Sequence, residues 1–237
     1  MRFFRHLQDI KAISFDLDDT LYDNRPVIEN AEKWMVDYLR DQYLAGAMYD
    51  RAWWNHLKAE LQYDDPSLKH DVSLCRQKMI ATGLQRGGMP ETQAMQEAET
   101  IFAQFLAVRS QVDVPSDTHR VLAELKKHYP LVVITNGNVL LENIGLTGYF
   151  THVLKAGEGK KMKPAADMFS AMSDLLGIAP HQILHIGDDV TTDVFGAIRN
   201  GYQAGWINAQ GQDWRTLRSL PHFMFQDLGD LLSLIPS

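Results

Sequence analysis

Residues 11–20, Lys-Ala-Ile-Ser-Phe-Asp-Leu-Asp-Asp-Thr, decide how this chain is organised. A short apolar run, Ala12 to Phe15, ends in Asp16, Asp18 and Asp19. Four β-compatible residues that stop at carboxylates read as a buried strand with its acids at the carboxyl end, where open α/β sheets bind their ligands. An acidic turn that merely caps a helix fits the same five residues. A chain that turns at Asp18 also holds two carboxylates close together while Leu17 points away into protein. Hard oxygen ligands of that kind suit Mg2+, which keeps several waters and takes one or two carboxylates plus a substrate phosphate.

Further runs repeat the pattern: LVVIT before Asn136, ILHI before Gly187 and QAGWI before Asn208. Each is followed by a turn and then a helical periodicity, which predicts a doubly wound parallel sheet in an α/β fold. FMF at 223–225 is a candidate edge strand. From Arg25 to Val112 there is no strand pattern. Helical spacing runs through VIENAEKWMVDYLRDQYL, MYDRAWWNHLKAELQ, LKHDVSLCRQKMIATGL and PETQAMQEAETIFAQFLAV, with breakers at Gly46, Pro66, Gly87-Gly88 and Pro90. The expected organisation is a catalytic core from residues 1–24 and 113–237, with a four-helix insertion at 25–112. Trp34, Met35, Tyr38, Leu39, Trp53, Leu57, Met79, Ile101, Phe102, Phe105 and Leu106 supply its apolar seam. Neighbouring residues on a helix point about 100° apart, so Trp53 and Trp54 should not be equally buried, and one is free to face a pocket. Ser116 is positioned to cap a helix over SDTHRVLAELKKHY, and a later helix should start at Pro164 and stop at Gly177.

The other strand ends carry complementary chemistry. Thr135-Asn136-Gly137 offers a hydroxyl, an amide and a glycine-freed backbone to phosphate oxygens, although Asn-Gly is also a common turn. Lys163 precedes a predicted helix start that favours anions, and could neutralise both Asp16 and a phosphate; a solvated turn lysine is the alternative. Gly187-Asp-Asp-Val-Thr-Thr-Asp193 forms a further acidic cluster. Asp188 reads as a direct metal ligand and Asp193 as an outer partner or a helix cap, with Asp189 open to either metal role.

Composition limits the partners. With 237 residues, 45% hydrophobic and 22% charged, the chain can bury a core. A net charge of −7, with no basic stripe, argues against nucleic acid. The single cysteine, Cys75, excludes an internal disulfide and fits a reduced compartment. No segment has the length and apolarity of a membrane span, and the N-terminal residues lack a continuous apolar stretch, so a cytoplasmic protein is expected. Oligomeric state is not legible in the sequence.

Four strand-end motifs in this order resemble those of the haloacid dehalogenase-like (HAD) superfamily: D-x-D-x-T, a strand-end Ser or Thr, a Lys and a paired acidic motif. The resemblance spans Ile13 to about Ile207, and residues 25–112 look like the family's helical cap. It implies a Rossmann-like core and a Mg2+-dependent phosphatase acting on small phosphate monoesters through an aspartyl-phosphate. Asp16 would be the nucleophile and Asp18 the general acid and base, with phosphate held by Thr135, Asn136 and Lys163. Metal would be held by Asp16, Asp188 and the Asp18 backbone carbonyl, with Asp189 and Asp193 outside them. MRFFRHLQDIKAISFDLDDTLYDNRPVI, TNGN and HIGDDVTTDVFGAI further resemble bacterial members that act on flavin mononucleotide and 5-amino-6-(5-phospho-D-ribitylamino)uracil. Aromatic side chains of the insertion could stack on such a heterocycle. A broad sugar or nucleotide phosphatase, a phosphomutase, a dehalogenase and a non-catalytic binding protein are the alternatives.

Overall fold

The structure, a computed structural model, describes residues 1–44 and 48–236; Gly46, expected to break a helix, lies outside the described residues. Its strands are β1 (Arg2–Phe3), β2 (Ala12–Phe15), β3 (Leu131–Thr135), β4 (His152–Lys155), β5 (Ile183–Gly187), β6 (Gln203–Ile207) and β7 (Phe223–Phe225). The helices are α1 (Arg25–Gln42), α2 (Arg51–Asp64), α3 (Val72–Arg86), α4 (Glu91–Arg109), α5 (Ser116–Leu125), α6 (Ala166–Leu176) and α7 (Gly196–Arg199).

The chain divides into two compact units. The first comprises Met1–Asp23, Asp113–Gly137 and Gly145–Ser237; the second comprises Asn24–Val112 and Asn138–Ile144. In the first unit one sheet runs β1-β7-β6-β5-β2-β3-β4. All neighbours pair parallel except β1, which lies antiparallel on β7. Every residue of β2, β3, β5 and β6 is buried, as expected of central parallel strands covered on both faces. From β2 the chain winds outward through β3 and β4, then restarts at β5 on the other side of β2. The sheet therefore reverses between β2 and β5, and such a switch point leaves a crevice at the carboxyl ends.

β1 and β4 carried no sequence signal of their own: β1 has two residues and β4 is only partly buried, so neither needs a long apolar run. The expected Ser116 cap does not form. The helix begins at Ser116 itself, after Pro115, without a side-chain capping bond. α6 starts at Ala166 rather than Pro164 and ends at Gly177, whose φ of 63° is the left-handed conformation that glycine adopts without a steric penalty.

The second unit is helical. Asp50 and Asp71 cap α2 and α3 by accepting from the Trp53 and Leu74 amides. Its core includes Met35, Leu39, Trp54, Leu57, Cys75, Met79, Ile101, Phe102 and Phe105, with Trp34, Tyr38, Trp53 and Leu106 partly buried against it. Trp54 is the buried member of the tryptophan pair. It fits because Gly83 on α3 has no Cβ to overlap its ring. Trp53 meets Trp54 edge-on, with 4.9 Å between ring centroids. Asn138–Ile144, expected with the sheet, instead joins the helices: Asn138 Nδ2 donates to Ser73 Oγ, and the Leu140 amide donates to Ser110 Oγ. No described helix is long and apolar enough to cross a membrane.

His222 ties the edge of the sheet together. Its Nδ1 accepts from the Ala204 amide at 3.0 Å, and its carbonyl accepts from the Phe4 and Arg5 amides. Burial, helped by Arg5, depresses its pKa from 6.5 to about 4. Between those values the unfolded chain binds a proton that folded His222 does not, so stability is intact above about pH 6.5 and falls as pH drops toward about 4. Denaturation curves across that window should show His222→Gln with a shallower pH slope than wild type; an equal slope would remove His222 from the account.

Candidate active site

The sequence-singled residues gather around the crevice between β2 and β5. β2 delivers Asp16, whose amide donates to the Ile186 carbonyl at 2.9 Å, so the acid's backbone is locked into the neighbouring strand end. Beyond it the chain turns tightly. The Thr20 and Leu21 amides both donate to the Leu17 carbonyl, Leu17 is fully buried, and Asp19 takes a left-handed φ of 57° that is uncommon for a residue with a side chain.

Lys163 is the centre of the site. It is 3% exposed, and its ammonium donates to Asp16 Oδ1 and to Asp193 Oδ1, both at 2.6 Å. Asn136 places it: Asn136 Oδ1 accepts from the Lys163 amide at 2.8 Å, and Asn136 Nδ2 donates to the Lys163 carbonyl at 3.1 Å. That amide, expected to contact phosphate, thus grips the backbone of the lysine. Thr135 is buried, and its hydroxyl oxygen accepts from the Gly137 amide at 3.1 Å, shaping the turn after β3.

Asp193 neither caps a helix nor faces solvent. Oδ1 also accepts from His185 Nε2 at 3.1 Å and Oδ2 from the Asp189 amide at 3.0 Å. Its carboxylate occupies the space a Cβ at residue 187 would need, which explains the glycine that ends β5. Asp189 takes the capping role instead: its exposed carboxylate accepts from the Thr191 and Thr192 amides and starts the π-helical turn Val190–Phe195. Asp188 is held by Thr20, whose hydroxyl donates to Oδ1 at 3.3 Å, and by Trp206, whose indole donates to its carbonyl at 2.8 Å.

Tyr22, Ser14, His185 and Trp206 escaped the sequence reading, and Thr20, which closes the D-x-D-x-T motif, was given no role there. Ser14 and His185 did leave a signal, since each is a polar residue inside an otherwise apolar strand; they contact each other at 2.8 Å. Tyr22, four residues beyond Asp18, donates its hydroxyl to Asp18 Oδ1 at 2.6 Å.

Charge does not balance in this cluster. Asp16, Asp188 and Asp193 each bring one oxygen within 4.8 Å of the others, against a single ammonium. Burial pushes Asp16 up to about 8 in spite of Lys163, with Asp193 and Asp18 adding repulsion. Asp188 rises to about 7 through burial, Asp193 and Asp19. Burial opposes ionisation of Asp193 too, but Lys163 and His185 hold it well below the ordinary carboxylate range. Burial likewise keeps His185 neutral, below its usual value. Lys163 stands 2.6 Å from both Asp16 and Asp193 and offsets one charge of the three. Asp16 and Asp188 are the pair that still calls for a cation, and their hard oxygens suit a divalent one.

An α/β sheet with acids at its switch point, one of them salt-bridged to a buried lysine, defines a carboxylate-centred hydrolase. The chain belongs to the haloacid dehalogenase-like hydrolases, whose family model matches residues 10–201. It is 40% identical over 99% of its length, and 100% of the relative's, to the 5-amino-6-(5-phospho-D-ribitylamino)uracil phosphatase of Escherichia coli. A 2-haloacid dehalogenase from Pseudomonas syringae superposes with a TM-score of 0.89 at 32% identity, covering 95% of this chain and 97% of that one. A HAD-hydrolase of Bacillus subtilis, bound to magnesium, shares the fold with a TM-score of 0.65 at 18% identity, covering 96% and 99%.

Gly187→Ala tests the packing of Asp193. The added Cβ overlaps its carboxylate, which must move away from Lys163. Displacement by about 1 Å can cost about 100-fold in rate, so hydrolytic turnover should fall by that order in a variant that still melts cooperatively. Undiminished turnover would show that the Asp193 to Lys163 contact is dispensable.

Proposed function

We propose that this HAD-type phosphatase hydrolyses a ribityl phosphate carried on a flat heterocycle, as in 5-amino-6-(5-phospho-D-ribitylamino)uracil and flavin mononucleotide. The enzyme is a phosphoric monoester hydrolase. The relative from Escherichia coli, similar over the whole chain, supports the first substrate; the second comes from the sequence resemblance. A place in riboflavin synthesis and a cytoplasmic setting accompany that reading.

The observation that carries the chemistry is a second carboxylate, Asp18, beside the lysine-bound Asp16. Asp18 Oδ2 faces the turn after β3 so closely that a Cβ on Gly137 would stand 2.5 Å from it. Asp16 attacks phosphorus through a carboxylate oxygen. As the ester P–O bond breaks, its electron pair goes to the alkoxy oxygen, which takes a proton from Asp18. Asp18 then takes a proton from the water that attacks the aspartyl-phosphate, and the electron pair of the Asp16–phosphorus bond returns to the carboxylate. Lys163 neutralises Asp16 and the transferring group, while Thr135 lines the phosphate side. Asp16, Asp188 and the Asp18 carbonyl would hold magnesium, with Asp193 outside them. A bound magnesium ion supplies positive charge against the phosphate oxygens.

The dehalogenase neighbour favours a second reading, displacement of halide by Asp16. A halide leaves without a proton and gives Asp18 no task. Purified protein should release phosphate from both ribityl substrates more efficiently than from ribose 5-phosphate or a nucleoside monophosphate, and no halide from 2-chloropropionate. EDTA should abolish release and magnesium restore it, and Asp16→Asn should be folded and inactive. Preference for the sugar or nucleotide phosphates would refute the substrate. Activity of Asp16→Asn would refute the covalent route.

A further inference from the structure

We infer that Tyr22 is a positioning residue that assigns the two oxygens of Asp18 different tasks, anchoring Oδ1 and directing the acid proton to Oδ2. The inference rests on the reading of Asp18 as general acid and base.

Tyr22 is 3% exposed, and its hydroxyl stands 2.6 Å from Asp18 Oδ1. That matches the roughly 2.5–2.7 Å of an O–H donor on a charged oxygen, the stronger class of hydrogen bond. The phenol has little freedom to leave. Asp18 and Tyr22 pair through a β-bridge, the Leu21 amide closes the turn onto the Leu17 carbonyl at 2.9 Å, and Thr118 Oγ1 donates to the Leu21 carbonyl at 2.9 Å. Oδ2 lies on the other side, against Gly137. A carboxyl oxygen that bears its own hydrogen is a poor acceptor, so while the phenol donates to Oδ1 the hydrogen of the acid form sits on Oδ2. That oxygen faces the turn whose Thr135 lines the phosphate side. The proton given to the alkoxy oxygen therefore leaves from Oδ2, and the proton taken from the attacking water returns there.

A buried tyrosine that merely satisfies its hydroxyl would change stability and affect all substrates alike. Leaving groups separate the two roles: p-nitrophenolate departs without a proton, whereas the alkoxide of a sugar phosphate needs one. Single-turnover phosphoryl transfer from ribose 5-phosphate and from p-nitrophenyl phosphate is measured for wild type, Tyr22→Phe, Thr118→Val and Asp18→Asn, with thermal denaturation of each. General-acid assistance is worth about 10²–10⁴-fold, and misplacing its proton should forfeit about 10-fold or more of it for ribose 5-phosphate in Tyr22→Phe. Transfer from p-nitrophenyl phosphate should stay within about twofold of wild type, because the step draws on no acid. Thr118→Val, which removes the bond that fixes the Leu21 carbonyl beside Tyr22, should show the same signature in smaller degree and carries the test should Tyr22→Phe not fold. Equal losses on both substrates, or none, while Asp18→Asn still discriminates between them, would overturn the positioning of Asp18 alone. Failure of Asp18→Asn to discriminate would overturn the acid role and the inference with it.

Discussion

One buried ammonium, shared between Asp16 and Asp193, is the contact on which the site depends. Removing a lysine from water is costly and is repaid only when geometry is good and the remaining donors and acceptors are satisfied. Here both bonds are 2.6 Å, and Asn136 holds the lysine backbone from both its amide and carbonyl sides. Deleting the ammonium would strand a buried carboxylate, a loss of about 3–5 kcal/mol for comparable pairs. The two anions are not equivalent. Asp193 has His185 and a backbone amide besides the lysine, whereas burial pushes Asp16 up in spite of the lysine.

Those partners are 147 and 30 residues apart in sequence, so the lysine cannot find them without the sheet. Parallel winding places every strand's carboxyl end on one edge, and reversal between β2 and β5 opens the crevice where Asp16 and Asp188 emerge. Glycine makes the close approaches possible. Gly187 yields its side-chain volume to the Asp193 carboxylate and Gly137 to Asp18 Oδ2. Inside the sheet, Ser14 and His185 sit opposite each other in register, and each satisfies the other where an apolar pair would have been the simpler choice. Their cost is accepted because His185 in turn donates to Asp193.

Much of this was legible because buried parallel strands read as unbroken apolar runs. AISF, LVVIT, ILHI and QAGWI stand out on that ground, and the acids stand out because they end such runs. The four helices were legible from their period and from Pro66, Gly87-Gly88 and Pro90. What escaped was of two kinds. β1 and β4 are short or half-exposed and leave no pattern. Tyr22, Trp206 and the contact of Thr20 with Asp188 depend on tertiary placement; a tyrosine four residues past an aspartate is unremarkable until the turn brings its hydroxyl onto Oδ1. Asn136 was singled out as a phosphate contact because Asn-Gly ends a strand; that its amide also holds the Lys163 backbone depends on a residue 27 positions away and leaves no local pattern.

Two relatives above 30% identity, one named a phosphatase and one a haloacid dehalogenase, show how little of such a chain discriminates between the two chemistries. Both reactions begin with a carboxylate attacking a centre that carries a leaving group, so both need an aspartate like Asp16 and a cation like Lys163. They part at the leaving group. A halide is stable as an anion, while an alkoxide must be protonated as it departs, and the proton must come from a group already within hydrogen-bond reach. On the proposed mechanism Asp18 supplies that proton, which makes the residues around it, Tyr22 and Gly137, bear on the reaction as much as Asp16 does. On that proposal, phosphoryl chemistry is written less in the attacking acid, common to both outcomes, than in the few contacts that aim the second one.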